Sequence, residues 1–120
     1  METAARRALL PTRPNPGGRL DCIVTVDGRL PTTGTGVTLR YVPDRLVLDA
    51  AAFAGYLAAL DPPPGIEELA ATVLADVNDV LVPRWLHIAT ATPDGGHRAA
   101  IEDCQPRWNN AMLLQRLERI

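Results

Sequence analysis

The sequence contains no lysine and no serine, which restricts the chemistry that its side chains can perform. A serine nucleophile, a lysine Schiff base and the lysine of a phosphate-binding loop all require residues that this chain lacks. Any reaction must therefore use cysteines, histidines, tyrosines, carboxylates, threonines or backbone groups. The residues of greatest interest are Cys22, Cys104, His87 and His97.

Cys104, His97 and His87 could together bind zinc, because thiolate and imidazole are the usual ligands of that metal. Their spacing matches no compact ligand motif, so we expect neither a metal nor another cofactor. Imidazole titrates near neutral pH, which makes His97 and His87 candidate catalytic proton donors or acceptors, with surface or packing roles as the alternative. Cys22 lies in an alternating segment, and we interpret it as a small buried hydrophobic residue.

All twelve basic side chains are arginines, and fourteen acidic residues balance them to a formal net charge of -2. This balance argues against nucleic acid as the main partner. Individual arginines could still bind an anionic substrate group through paired hydrogen bonds, with solvated surface positions as the alternative. The candidates for such binding are Arg40, Arg84, Arg98 and Arg107.

The chain has only two cysteines and no leader-like apolar segment, so we expect a soluble cytoplasmic protein with reduced thiols. No segment approaches the roughly 20 apolar residues of a membrane span, and we expect no membrane partner. A length of 120 residues favours one domain. We place it at residues 20–104, between an N-terminal arm (1–19) and a C-terminal helical tail (105–120).

The arm carries several prolines and the pair Gly17-Gly18, so we expect it to be extended or mobile, without regular strand pairing. Alternation from Leu20 to Val26 predicts a strand that ends at the turn signal Asp27-Gly28. Residues 29–36 would form a loop, and a second alternating segment, 37–41, predicts another strand that ends at Pro43.

Two amphipathic helices follow. Asp49 is a suitable N-cap for the first, whose apolar residues Phe53, Tyr56, Leu57 and Leu60 have helical spacing before the prolines at 62–64. The second ends before Pro83 and carries acidic residues away from its apolar face. Its predicted apolar face consists of Ile66, Leu69, Val73, Val77, Val80 and Leu81, and its acidic residues are Glu67, Glu68, Asp76 and Asp79.

The pattern of residues 84–92 predicts a third strand, and Pro93-Asp94-Gly95-Gly96 predicts a turn. A fourth strand is expected from His97 to Asp103, and a helical tail from Trp108 to Ile120. The order ββααββ predicts an α+β fold in which one antiparallel sheet carries both helices on a single face. The other face would be bare. Because an exposed sheet face of this kind needs a partner, we expect a homo-oligomer.

Several segments resemble, in the same order, those of the tunnelling-fold (T-fold) nitrile reductases, which convert 7-cyano-7-deazaguanine to its aminomethyl product in the queuosine pathway. The resemblance covers residues from about 20 to 103. It implies two hairpins around a helical pair, subunits assembled into an oligomeric barrel, and active sites at their interfaces. The matching segments are Tyr41 to Asp49, Tyr56-Leu57, Glu67-Glu68, Pro83 to Leu86 and Thr92 to Gly96.

In T-fold proteins a glutamate typically binds the nitrogen-rich edge of a guanine, deazaguanine or pterin ring. The resemblance assigns this role to Glu67, with Glu68 as a competitor displaced by one residue. A carboxylate suits such an edge, because its two oxygens accept two parallel N–H donors. The alternative is that both are solvated acids in the first turn of a helix, where the macrodipole favours them.

The sequence departs from the family at the positions that carry the reduction. The family's loop between the first two strands supplies a nucleophilic cysteine and an aspartate, whereas RLPTTGTG keeps only Thr33-Gly34 as a candidate substrate contact. Ile66 replaces a histidine, and Asp94 replaces an arginine associated with NADPH. A carboxylate at 94 would repel the phosphate of that cofactor.

The sequence therefore predicts a T-fold enzyme that binds a guanine-like, deazapurine or pterin heterocycle at a subunit interface through Glu67. Its reaction would proceed without a covalent cysteine, as a cyclisation, rearrangement or hydrolysis in specialised metabolism. The alternative is a non-catalytic T-fold binding or scaffold subunit. An NADPH-dependent nitrile reductase is the less favoured third interpretation.

Overall fold

The structure is a computed structural model that describes residues 1–61 and 63–117. No helix within these ranges combines the length and apolar character needed to cross a membrane. A short 3-10 helix at Ala50–Ala52 precedes α2. The other elements, in chain order, are α1 (Thr3–Arg7), β1 (Thr12–Pro14), β2 (Val24–Arg29), β3 (Gly36–Val42), β4 (Leu46–Leu48), α2 (Phe53–Ala59), α3 (Ile66–Leu81), β5 (Trp85–Ala91), β6 (Arg98–Cys104) and α4 (Ala111–Leu114).

Four strands form one antiparallel sheet in the order β2-β3-β5-β6. β2 and β3 form one hairpin, and β5 and β6 form another. The two hairpins are joined because β3 pairs with β5 at the centre of the sheet. In this pairing Gly36 lies opposite Ala91 and Val42 lies opposite Trp85. The α+β class that the sequence predicts is confirmed. The structure adds a second, two-stranded antiparallel sheet formed by β1 and β4.

One face of the large sheet carries the core. Alternate residues Leu39 on β3 and Ile88 on β5 are fully buried together with Val73 and Val77 of α3. Thr90 on the same face donates a hydrogen bond to the Ile66 carbonyl at 2.9 Å, which joins β5 to the start of α3. The opposite face carries neither α2 nor α3, although Val42 and Trp85 at one end of it are buried, and we call it the uncovered face.

The two helices occur where periodicity predicts them. α3 spans Ile66–Leu81 and is followed by Val82, whose φ of 45° lies in the left-handed region before Pro83. α2 is shorter than expected and ends at Ala59, and Asp49 caps the preceding 3-10 turn through a 3.2 Å hydrogen bond from the Ala51 amide. The predicted helix stop at Pro62 falls outside the described residues.

The turn predicted at Asp27-Gly28 is wrong, because β2 continues through both residues and Gly28 pairs with Val37. A Cβ atom at position 28 would lie 2.6 Å from Leu57 Cδ1 and 3.3 Å from Phe53 Cδ2. Glycine is therefore required here for the close approach of α2 to the sheet, and the chain turns later, at residues 30–35.

The prediction of an unpaired N-terminal arm is also wrong. Thr12 pairs with Leu48 and Pro14 with Leu46, while Leu10 is buried in the core. A strand with only one neighbour leaves half of its amides unused by the ladder, so it accommodates proline without losing sheet bonds.

A buried carboxylate holds the first helix against the body of the protein. Asp76 was expected away from the apolar face of α3, but its side chain is fully buried. It accepts hydrogen bonds from Arg6 Nε at 2.6 Å, Arg7 Nε at 2.9 Å and the Tyr56 hydroxyl at 2.5 Å. These four residues form the Asp76 cluster, which explains why an acid is tolerated there and why α1 is ordered.

Within the described residues, the C-terminal tail forms an α-helix at Ala111–Leu114, and its predicted end at Ile120 lies outside them. The tail is attached through Asp21, which accepts hydrogen bonds from Trp108 Nε1 and Asn110 Nδ2, both at 3.1 Å. Asp21 therefore connects the segment before β2 to the end of the chain.

Candidate functional site

The first turn of α3 and the turn between β5 and β6 meet at one end of the sheet. Glu67 lies one residue inside α3, and His97 immediately precedes β6. Glu67 Oε2 is 3.4 Å from His97 Nε2, and their side chains are 60% and 59% exposed. The predicted substrate anchor and one predicted proton-transfer residue are therefore neighbours, and both are accessible to a ligand.

The helix start favours an acid at this place. Gly65 precedes α3 with an extended backbone and supplies no side-chain cap, so the amide dipoles of the first turn are stabilised by Glu67 and Glu68. The carboxylates of both residues lie over Gly65, where an added Cβ would collide with Glu68 and come within 3.2 Å of Glu67 Oε1. Glu67 is the one that faces His97.

His97 is positioned by a hydrogen-bonded turn. Asp94 Oδ1 accepts bonds from the Gly96 amide at 3.0 Å and the Thr92 hydroxyl at 2.7 Å, and Gly95 supplies the positive φ of 73°. The Gly96 amide, followed by the Thr92 hydroxyl, lowers the pKa of the Asp94 carboxyl below its ordinary value. Asp94 is therefore an ionised residue that maintains the turn.

Thr33 lies on the other side of the helix start. Its hydroxyl is 2.8 Å from that of Thr35, and both residues line a cavity of about 170 Å³ together with Pro64 and Gly65. The loop between β2 and β3 therefore reaches the N-terminus of α3, although Glu67 does not line this cavity.

His87 does not belong to this group within one chain. It lies in the middle of β5 on the uncovered face, whereas Glu67 is on α3, which packs on the opposite face. Its imidazole stacks on Trp85 with ring centroids 5.7 Å apart. Burial, followed by the charge of Arg40, lowers the pKa of His87, and Glu102 opposes this change. Only His97 of the two predicted histidines is adjacent to the anchor.

The cysteines are separate from the site. Cys22 and Cys104 are both free and exposed. The prediction that Cys22 is buried is wrong, because β2 begins only at Val24 and Cys22 precedes it. Across residues 1–61 and 63–117, no three histidine, cysteine or acidic side chains are close enough together to bind a metal ion.

Of the arginines considered for anion binding, Arg84 has a structural role. Its guanidinium donates to Asp21 Oδ1 at 2.9 Å, to the Gly18 carbonyl at 3.0 Å and to the Leu20 carbonyl at 3.2 Å. These bonds use the donors that an anionic ligand would need.

A larger cleft of about 660 Å³ opens on the uncovered face beside the same β5–β6 turn. Sequence reasoning did not identify it, since it depends on small residues of three strands lying side by side. Its lining includes Gly36, Ala89, Ala91, Ala100, Arg29 and Arg98.

No known protein-family model matches the chain, and no curated protein matches it. The function proposed below therefore depends on the geometry around Glu67 together with the resemblance of the sequence motifs.

Proposed function

We propose that this chain is a T-fold enzyme that binds a guanine-like, deazapurine or pterin heterocycle through Glu67. The observation that carries the proposal is the 3.4 Å approach of Glu67 Oε2 to His97 Nε2, with both side chains exposed. An anchor and a proton-transfer group from distant parts of the sequence thus lie at one accessible place.

The anchor works through paired hydrogen bonds. A guanine or pterin edge presents two N–H donors side by side, and a carboxylate accepts both with charge assistance. Because the Glu67 side chain is 60% exposed, it has accepting positions free beyond its contact with His97. The Thr33 loop lies beside the helix start and would contact the same ligand.

His97 supplies the acid–base chemistry. An imidazole can donate or accept a proton, and Glu67 would hold the ring edge of the ligand within reach of it. A cyclisation, rearrangement or hydrolysis driven by positioning and proton transfer needs no covalent cysteine. This agrees with the absence of a cysteine from the loop RLPTTGTG.

The active unit is proposed to be a homo-oligomeric barrel. β2 and β6 are the outer strands of the four-stranded sheet and have no further strand beside them in the described chain. Strands of neighbouring subunits would pair with these edges and enclose the exposed Glu67 site. Size-exclusion chromatography with light scattering should give several chain masses, and a stable monomer at micromolar concentration would contradict the barrel.

Ligand binding tests the anchor directly. Guanine, 7-deazaguanine and pterin should each be titrated by calorimetry and by thermal shift. Glu67→Gln should weaken binding at least tenfold, because an amide cannot accept two donors. Glu68→Gln is the matched control and should leave affinity within about twofold. The reverse pattern would move the anchor to Glu68, and no binding by any of the three would contradict the proposal.

Reaction chemistry is tested separately. His97→Gln should retain ligand affinity and lose turnover of a substrate found in the binding screen. Incubation with 7-cyano-7-deazaguanine and NADPH, followed at the nicotinamide absorbance band, should show no oxidation of the cofactor. Turnover in that assay would favour the nitrile reductase instead.

A further inference from the structure

Four polar side chains lie in one row across the uncovered face of the sheet. The strand register places Thr25 opposite Arg40, Arg40 opposite His87, and His87 opposite Glu102. Side chains at such directly paired positions are close enough to interact. We call these four residues the polar row.

Three members of the polar row contain a buried polar atom that makes no hydrogen bond. These atoms are Thr25 Oγ1, Arg40 Nε and His87 Nδ1, and within residues 1–61 and 63–117 no other side-chain atom has this property. Buried polar groups in folded proteins are nearly always paired. Three exceptions on adjacent positions of neighbouring strands indicate a row that lacks polar partners. A partner from outside the chain would reach it through the partly exposed remainder of the Arg40 and His87 side chains.

The acid at the end of the row does not neutralise the arginine. Glu102 Oε2 accepts a 2.7 Å hydrogen bond from Trp85 Nε1, and Arg40 forms no ion pair with any acidic side chain in the described part of the chain. Trp85 in turn stacks on the His87 imidazole at a ring angle of 16°. This stacking fixes the orientation of the imidazole. Among the described residues, the Arg40 guanidinium is therefore a positive charge without an acidic partner.

The row borders open space of small-molecule size. Thr38, Ala89 and Ala100 are two residues along their strands from Arg40, His87 and Glu102, and all three line the cleft of about 660 Å³. This volume falls within the usual range for small-molecule sites. The far end of the cleft is flanked by Arg29 and Arg98, whose strand positions are separated by Gly36 and Ala91.

We propose that the polar row and the adjoining cleft bind an oxyanion group of a small molecule, with Arg40 as the principal contact. The partly exposed side chains of Thr25, Arg40 and His87 suit such a group, because a hydroxyl, a guanidinium and an imidazole can all donate to oxygen. The floor of glycine and alanine leaves room for a small ligand. This site lies on the face opposite Glu67. Asp94 and Gly95 of the β5–β6 turn also line its cleft, but the proposal does not depend on heterocycle binding.

Binding of two probe anions tests the proposal. Sulfate and acetate should be titrated into the full chain at constant ionic strength set with chloride, with the Arg40 Nε–H and His87 ring resonances followed by NMR. We expect saturable shifts with a millimolar dissociation constant. Tighter binding of sulfate would indicate a tetrahedral oxyanion such as phosphate, and tighter binding of acetate a carboxylate.

Arg40→Gln should weaken the tighter anion at least tenfold. Arg45→Gln removes the same charge at an exposed position before β4 and should change the affinity by less than twofold. Should Arg40→Gln fail to fold, His87→Gln provides the second variant, with an expected loss of at least threefold. Shifts that do not saturate in the parent protein, or equal losses in Arg40→Gln and Arg45→Gln, would overturn the proposal.

Discussion

Two carboxylates on the same helix have opposite environments. Asp76, near the end of α3, is fully buried and accepts hydrogen bonds from Arg6, Arg7 and Tyr56. Glu67, in the first turn, is 60% exposed, and among the described residues its ion-pair partner is His97. Residue type and helix therefore do not determine the role of an acid. The two acids differ in how many hydrogen-bond donors reach them from distant parts of the sequence. A carboxylate with all its hydrogen bonds made stabilises the fold, whereas one without them remains available to a ligand.

Asp76→Ala should have the largest effect on stability, because it leaves two guanidinium groups and the Tyr56 hydroxyl without their common acceptor. We expect a loss of about 3 kcal/mol in the free energy of unfolding, measured with urea. Asp79→Asn is the control, since that side chain is 58% exposed and lies 3.4 Å from Arg7. It should cost less than about 0.5 kcal/mol. Equal losses of stability in Asp76→Ala and Asp79→Asn would show that the Asp76 cluster contributes no more than an exposed ion pair.

The contribution of Asp76 should also depend on pH. Burial raises the pKa of this carboxyl, but the hydrogen bonds from Arg6, Tyr56 and Arg7 outweigh burial and leave the pKa below its ordinary value. A lowered folded pKa means that stabilisation is complete above the unfolded value of about 4 and is lost as pH falls through the folded value.

The stability difference between wild type and Asp76→Asn, measured by urea unfolding, should therefore be constant from about pH 7 to pH 5 and shrink below about pH 4. A difference that grew in acid would mean that the folded pKa is raised.

Tyr56→Phe should have a smaller effect, because Asp76 keeps both arginine donors when the hydroxyl is removed. We expect a loss of about 1.5 kcal/mol. Tyr41→Phe offers a comparison elsewhere in the core, where the hydroxyl accepts from the Leu48 amide at 2.9 Å. Urea unfolding of both variants would separate the charged acceptor from the neutral backbone partner, and Tyr56→Phe should cost more.

Glu67→Gln should have the smallest effect on stability, within about 0.5 kcal/mol, since an exposed side chain near a helix start contributes little. A loss comparable to that of Asp76→Ala would show that Glu67 is structural and would remove the contrast between the two carboxylates. Thermal unfolding without ligand is the appropriate measurement.

Local signals predicted much of the frame on which these residues lie. Periodicity and the proline at 83 placed α3 correctly, and Pro93 to Gly96 placed the β5–β6 turn and hence His97. The neighbourhood of Asp76 could not be predicted, because its arginine donors lie about 70 positions away in sequence. Gly28 is the opposite case, because Asp27-Gly28 is a local turn signal, yet the glycine lies within β2 and accommodates Leu57.

Only part of the candidate site could be predicted from the sequence. Glu67, Thr33 and His97 came from motif resemblance and residue chemistry, but their closeness depends on α3 packing across the sheet onto the β5–β6 turn. The polar row needs the register between β3 and β5, which no short turn sets. Thr25 and Glu102 were therefore missed, although alternation had already placed Arg40 and His87 on strands.

The central pairing of β3 with β5 also has a consequence for how fast the chain folds. Each hairpin closes over a short loop, but this pairing can form only after the whole of α2 and α3 has been brought back along the chain. Closing a long loop carries an entropic cost that is recovered only when the contacts form. We expect the joining of the two hairpins to limit the folding rate, so that mutations at the β3–β5 seam slow refolding more than those within either hairpin.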